Sequence, residues 1–217
     1  MRLTLFNGSP RKNWNTEILL QHVMKGAAAN GAETELIHLY DLNYKGCRSC
    51  YACKRVGGKS YGHCAIQDDL TEIFKKVEES DALIFGSPIY YGNVTGEMRS
   101  FWERLLFPYS VFDMERSSLF KKKIRTGIIY TMAANEIQMK TMGYEQNLHL
   151  MELFIKKIFG ETESLFAIDT CHFEDYTQYV STFFDAEAKQ KWRQEEFPQD
   201  CQKAWEMGAR IVQPIYI

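Results

Sequence analysis

The sequence predicts an α/β layered fold built around a parallel sheet, on three observations. Strand-like and helix-like patterns alternate from the first residues, in β-α order five times over. Clusters of Gly, Ser, Pro and Asn interrupt the chain where strands hand over to helices. A last amphipathic helix is left to cover the open face of the sheet. With 217 residues, 45% apolar and 25% charged, the chain is long enough for one compact domain with a large core.

The first strand spans residues 2–6 and ends in the breaker cluster Asn7-Gly8-Ser9-Pro10. Asn15-Thr16 then opens a helix with Leu19, Leu20, Val23, Met24 and Ala27 on one face, stopped by Asn30-Gly31. Residues 34–39 make a second strand, followed by a cysteine-rich segment. Asp68-Asp69 caps a helix carrying Leu70, Ile73, Phe74 and Val77 at helical spacing. The third strand is short, residues 82–85, because Gly86-Ser87-Pro88 begins a second breaker stretch that runs to Gly96. The next helix places Met98, Phe101, Trp102, Leu105 and Leu106 on one stripe and ends before Pro108. Residues 124–131 give a fourth strand, 144–159 a long helix stopped by Gly160, and 164–168 a fifth strand. The last helix, residues 200–212, turns Ala204, Trp205, Gly208, Ile211 and Val212 inward.

Two stretches lie outside this pattern, residues 109–123 and residues 170–198. The second is rich in aromatics (Phe173, Tyr176, Tyr179, Phe183, Phe184) and ends in a solvated helix over about residues 185–196. Loops beyond roughly 12 to 15 residues are usually functional or packed on something, so this stretch reads as a subunit contact or an active-site cover.

Composition narrows the function classes. Twenty-six Lys and Arg against 28 Asp and Glu leave a net charge of −2, without the basic excess of a nucleic-acid binder. No apolar run approaches the ~18 residues of a spanning helix, and the opening MRLTLFNGSPRK has no secretory pattern, so a cytoplasmic protein off the membrane is expected. Cys47, Cys50, Cys53 and Cys64 crowd into one segment at spacings unlike a secreted disulfide framework, and reduced thiols or metal ligands are expected there. Cys171 and Cys201 sit among apolar residues and read as small buried hydrophobes.

In an open parallel sheet, ligands gather beyond the carboxyl ends of the strands, where the strand order reverses. The turn after the first strand, Gly8 through Thr16, brings hydroxyls, amides, backbone N–H groups, Arg11 and Lys12 to a helix N-terminus, a setting for phosphate. Its spacing matches neither GxxxxGK[ST] nor GxGxxG, which disfavours a tightly held nucleoside triphosphate or NAD. The turn after the third strand, Ser87 through Val94, mixes aromatic and small residues with backbone donors and suits a flat heteroaromatic ring. Thr131-Met132-Ala133-Ala134-Asn135, after the fourth strand, forms another wall. A phosphate at one turn and a planar ring at the other two point to flavin mononucleotide, FMN.

Taken together, GSPRKNWNT after the first strand, C-x2-C-x2-C before DDL, and GSPIYYGNVTGEMRSFWERL after the third strand resemble the flavodoxin-like NADPH-dependent FMN reductases and iron-sulfur flavoproteins. The resemblance runs from Arg2 to about Ala134 and more loosely beyond. It implies a flavodoxin-like three-layer sandwich with a five-stranded parallel sheet in the order 2-1-3-4-5, FMN at the strand ends, and reduction by NAD(P)H. Homodimers or homotetramers with the flavin near a subunit interface are also implied. By position, Ser9, Arg11, Asn13, Asn15 and Thr16 fall on that family's phosphate turn. Pro88, Ile89, Tyr90, Tyr91, Gly92, Asn93 and Val94 fall on its isoalloxazine loop, and Thr131, Met132, Ala133 and Ala134 on the loop after the fourth strand. NAD(P)H and a small-molecule or protein electron acceptor would be the partners.

The four clustered cysteines could hold an iron-sulfur cluster or zinc. Ten residues separate Cys53 from Cys64, more than in iron-sulfur flavoproteins, yet a stretch that long reaches up to ~35 Å, so distance does not decide. Arg48, Lys54, Arg55 and Lys59 surround the thiols, which favours reduced structural or redox-active cysteines over a bound cluster and should lower thiol pKa values. The five histidines show no ligand spacing, and Asp68-Asp69 reads as a helix cap, so no acid-base pair stands out. The readings that compete with a hydride-transferring enzyme are an iron-sulfur electron carrier and a non-catalytic flavin-binding module.

Overall fold

The computed structural model describes residues 1–213. Strands Arg2–Asn7 (β1), Glu33–His38 (β2), Ala82–Tyr90 (β3), Arg125–Thr131 (β5) and Thr162–Ala167 (β6) form a parallel sheet in the order β2-β1-β3-β5-β6. A two-residue strand, Asn93–Val94 (β4), pairs antiparallel with the end of β3. The expected parallel five-strand order is present, and the sheet gains a sixth strand where the sequence predicts only a loop.

Side chains alternate along each strand, and this period of two builds two cores. Leu3, Leu5, Ala82, Ile84 and Ile129 face helices Asn15–Ala29 (α1) and Phe197–Ile211 (α7). Phe6, Leu83, Phe85, Ile128 and Tyr130 face helices Leu70–Glu79 (α2), Gly96–Tyr109 (α3) and Tyr144–Phe159 (α5). The result is a flavodoxin-like three-layer sandwich. On the first face α1 and α7 cross with backbones almost touching: a Cβ added to Gly26 would sit 1.9 Å from the Trp205 carbonyl oxygen, and one added to Gly208 would sit 2.0 Å from that of Val23.

Several boundaries differ from the sequence reading, each for a reason visible in the fold. Gly86-Ser87-Pro88 does not end β3 but continues it, pairing with Ile129, Tyr130 and Thr131. Because β1 stops with Asn7 opposite Gly86, β3 beyond that point has a free edge, where the missing N–H of a proline costs no ladder bond. Helix α3 runs through Pro108 to Tyr109, and its last carbonyls, on Phe107 and Pro108, accept from Lys54 Nζ, which also reaches Ser110 O. A cation from the cysteine segment thus caps this helix end. Helix α7 starts at Phe197, with Pro198 in its first turn, where proline costs nothing. Met207 takes the inward position expected of Trp205, which is half-buried.

Two further helices were missed or misjudged. Glu136–Thr141 (α4) has no counterpart in the sequence reading, although Asn135 and Gln138 form a reciprocal capping box at its start. Ala186–Glu195 (α6), capped by Asp185, was expected to be solvated, yet its Lys189 is only 6% exposed.

Asp200, in the first turn of α7, is buried, and desolvation holds its carboxyl above the usual range while Lys203, at 3.0 Å, pulls it back. The folded chain therefore takes up this proton at a higher pH than the unfolded chain, so this group's contribution to stability falls as pH rises through that window. Asp200→Asn is expected to raise the thermal midpoint at pH 7, by an amount that shrinks towards pH 3 as the wild-type carboxyl becomes protonated. Thermal melts of both proteins across that range measure it.

Candidate functional site

The strand ends converge on a cleft of about 260 Å3 at the point where the order reverses between β1 and β3. The volume lies just below the common range for small-molecule sites, roughly 300 Å3 and up. A larger groove, about 780 Å3, runs along α3 and α5, but none of its lining comes from a strand or the turn directly after one. The smaller cleft is where the chemistry gathers.

Its polar end is built on the turn after β1. Ser9 Oγ accepts from Arg11 N at 3.1 Å, which folds the turn back on itself. The Thr16 and Thr131 hydroxyls meet at 2.8 Å and tie α1 to β5. Asn15 donates to Cys171 O at 2.9 Å and accepts from Arg193 at 2.5 Å, so its amide is fixed at both ends. Arg11 donates to His172 O at 2.6 Å and lies 4.0 Å over the Trp14 ring. No side chain caps α1 at its N-cap residue, and the one carboxylate of its first turn, Glu17, is engaged by the Asn13 N–H.

Pro88, Ile89 and Tyr90 form the next wall, and Thr131, Met132, Ala133 and Ala134 the third. Of the residues expected at the site, Ser9, Arg11, Asn15 and Thr16 line the cleft with these seven. Asn13, Tyr91, Gly92, Asn93 and Val94 do not. Asn13 adopts positive φ and donates its N–H to Glu17 at 2.9 Å. Tyr91 and Gly92, with φ of 50° and 79°, are the two turn residues of a β3-β4 hairpin in which Ile89 pairs with Val94 and Tyr90 with Asn93. Tyr91 is fully exposed at the tip, whereas Val94 is buried in the core.

Sequence reasoning did not single out Trp14, Gln138, Met142, Tyr144, Thr170, Cys171, His172, Phe183 and Phe184, which complete the lining. The last five belong to the aromatic stretch expected to be a subunit contact or an active-site cover, and the structure folds that stretch over the cleft as a strap. Its rings pack on one another: Phe173 stacks on Tyr179 at 4.1 Å, and His172 on Phe184 at 5.6 Å. Burial pushes the His172 imidazole down, helped by the Arg11 and Lys189 charges, which keeps it neutral near pH 7.

The four clustered cysteines line a separate pocket of about 20 Å3 together with Arg104. Cys64 Sγ accepts from Arg104 Nε at 3.0 Å, and Cys53 is buried. The backbone N–H of Ala52 draws the Cys50 thiol down, while burial pushes Cys53 up, so the surrounding cations do not act evenly on the four. Among the described residues no three His, Cys, Asp or Glu side chains are placed to hold a metal ion. Asp68 accepts from Leu70 N as the cap reading expects, and its carboxylate also receives the Arg104 guanidinium as a fork, at 2.8 and 3.0 Å.

With this geometry in place, comparison with known proteins is decisive at the level of family. The model of the NADPH-dependent FMN reductases matches residues 1–155. The chain belongs to that family. An iron-sulfur flavoprotein of Archaeoglobus fulgidus is 38% identical to this reductase-family chain over 104 residues, 48% of the chain and 48% of the relative. One from Methanosarcina thermophila is 28% identical over 149 residues, 69% of the chain and 71% of the relative. The chain thus spans about half the length of the first of these curated relatives. Among solved structures, an NAD(P)H:quinone oxidoreductase from Methanothermobacter marburgensis superposes with a TM-score of 0.69 at 12% identity, covering 100% of this chain and 99% of that one. An FMN-dependent NADH-azoreductase from Bacillus anthracis, in complex with FMN, gives 0.65 at 11% identity, with 98% and 99% covered. At such identities the likeness concerns the fold. The family is one of flavin oxidoreductases, and no helix among the described residues is long and apolar enough to cross a membrane.

Proposed function

We propose that this member of the NADPH-dependent FMN reductase family binds FMN in the strand-end cleft and passes hydride from NAD(P)H to a flat acceptor such as a quinone or free flavin. The observation that carries this reading is the two-ended lining of one cleft: an uncapped helix N-terminus with Ser9, Arg11, Asn15 and Thr16 at one end, and Pro88, Ile89, Tyr90 and the 131–134 wall at the other. The donor set suits a phosphate and the walls suit a planar ring. Bound FMN would supply the hydride chemistry. The chain's part is to anchor the phosphate at α1, to sandwich the ring between Tyr90 and the 131–134 wall, and to shield it with the His172 and Phe184 side of the strap. Neutral His172 adds a polar edge there without a charge.

A visible spectrum of the FMN-loaded protein, recorded before and after anaerobic NADPH, tests the reading. Yellow that bleaches supports it, and protein that ignores added FMN overturns it. The electron-carrier alternative requires iron and acid-labile sulfide in protein purified without oxygen, whereas hydride transfer requires NADPH oxidation with a quinone acceptor and neither element. A cytoplasmic homodimer or homotetramer belongs to the same proposal. The exposed Leu150, Leu153 and Phe154 on α5 offer an apolar stripe for it, and sedimentation measures it.

Tyr90 and Tyr91 separate under this reading, although both fall on the family's ring loop. Tyr90→Ala removes a cleft wall and is expected to cost about 0.5 to 1.5 kcal/mol of FMN affinity, roughly a two- to tenfold rise in Kd. Tyr91→Ala, at the hairpin tip, is expected to leave Kd unchanged. Fluorescence titration of FMN into each variant checks both.

A further inference from the structure

The wall formed by Met132, Ala133 and Ala134 is gripped from behind by groups that lie outside the family-matched residues 1–155. Thr170 N donates to Met132 O at 3.0 Å and Asp169 N to Ala134 O at 2.9 Å. Between them the Lys189 ammonium donates to Ala133 O at 2.5 Å and pairs with the Asp169 carboxylate. A lysine this deeply buried is unusual and needs such partners.

All three carbonyls of the wall are therefore turned to the strap and α6. A trans peptide holds its C=O and N–H antiparallel, so the N–H groups of Ala133 and Ala134 point the other way. Neither finds an acceptor among the described residues. Both alanines are half-buried and line the cleft.

We propose that Lys189 is a positioning residue, which holds the Ala133 carbonyl so that the Ala134 N–H, at the other end of that peptide, faces the ring bound in the cleft beside the Ala133 N–H that Thr170 sets through the Met132 carbonyl, while Asp169 offsets the lysine's charge. The proposal rests on reading the cleft as an FMN site. Aimed donors bind a ring more tightly once it has gained electrons, so this grip favours the reduced cofactor over the oxidised one. Asp169 works in the opposite sense, because its carboxylate cancels the field of the ammonium at the ring.

The test compares Lys189→Met, which keeps the stem and loses the donors, with Asp169→Asn, which leaves the ammonium in place. Asparagine tolerates the left-handed backbone found at residue 169, where φ is 54°. Dissociation constants for oxidised and reduced FMN, and the midpoint potential against a reference dye, are measured for the wild type and each variant. Lys189→Met is expected to weaken reduced FMN about tenfold more than oxidised FMN, equivalent to about 30 mV more negative for a two-electron couple. Asp169→Asn is expected to shift the potential the other way, and Lys189→Arg to recover most of the wild-type value. Potentials that stay fixed or move in the same direction in both variants overturn the proposal while leaving the FMN reading intact. A wild-type protein that fails to bind FMN overturns the FMN reading, and the positioning role falls with it. Should Lys189→Met fail to fold, the direction of the shift in Asp169→Asn decides alone.

Discussion

Replacing Arg104 with methionine is expected to destabilise the folded chain by about 3 kcal/mol or more, the loss typical of breaking one partner out of a buried ion pair. Arg104 is 1% exposed, and its guanidinium serves five acceptors: both carboxylate oxygens of Asp68, the carbonyls of Lys45 and Ile66, and the Cys64 sulfur. All belong to residues 45–68, a stretch whose only regular structure is one short 3-10 turn, Ala52–Lys54. This one side chain therefore stands in for the sheet or helix bonds that the segment lacks. Methionine fills the volume but leaves the Asp68 carboxylate with the Leu70 N–H alone and the two carbonyls without donors. Arg104→Lys keeps a charge without the planar fork and should fall between the two. Urea unfolding gives the loss, and limited proteolysis should cut first within residues 45–68. An Arg104→Met protein with unchanged midpoint and unchanged cleavage pattern would show that the segment holds itself.

Gly208→Ala is expected to cost about 3 kcal/mol, the upper end of the overpacking range, although glycine to alanine inside a helix normally stabilises by about 1 kcal/mol. The sign reverses because the new methyl would lie 2.0 Å from the Val23 carbonyl oxygen, a backbone atom with no rotamer to move to. Relief requires α1 and α7 to part, which loosens Leu20, Val23, Ala204, Met207 and Ile211 together. Gly96→Ala, in the first turn of α3, is the control: its added methyl meets nothing within 4 Å and should be neutral or mildly stabilising. Denaturant midpoints for the two variants measured side by side test the contrast.

The fold was legible because its signals are local. The alternation of Leu3, Leu5 and Phe6, the helical stripes at Leu70 to Val77 and Met98 to Leu106, and the stop at Gly160 each act within a few residues of themselves. The errors came where distant chain supplies what a local rule says is missing. Pro108 reads as a helix end, and Lys54, 54 residues away, satisfies the carbonyls that make it tolerable. Pro88 reads as a strand break, and only the place where β1 stops shows that the proline sits on an open edge. At the cleft, Ser9, Arg11, Asn15, Thr16 and the Pro88-Ile89-Tyr90 stretch, singled out because they lie at strand ends, share one lining. Lys189 and Arg193 were read as part of a solvated helix because nothing in their own neighbourhood announces that Ala133 and Asn15 await them. Tyr91 and Gly92, expected on the ring loop, carry the paired positive φ angles that turn the β3-β4 hairpin.

The strap has a consequence for how the molecule comes into being. During synthesis, the family-matched residues 1–155 emerge before the groups that Asn15, Arg11 and Ala133 bond at the strap and α6. Those partners, from Asp169 to Arg193, come later in the chain. A nascent chain therefore fixes these walls of its pocket only once residues 169–193 have followed, so cofactor capture waits for the strap.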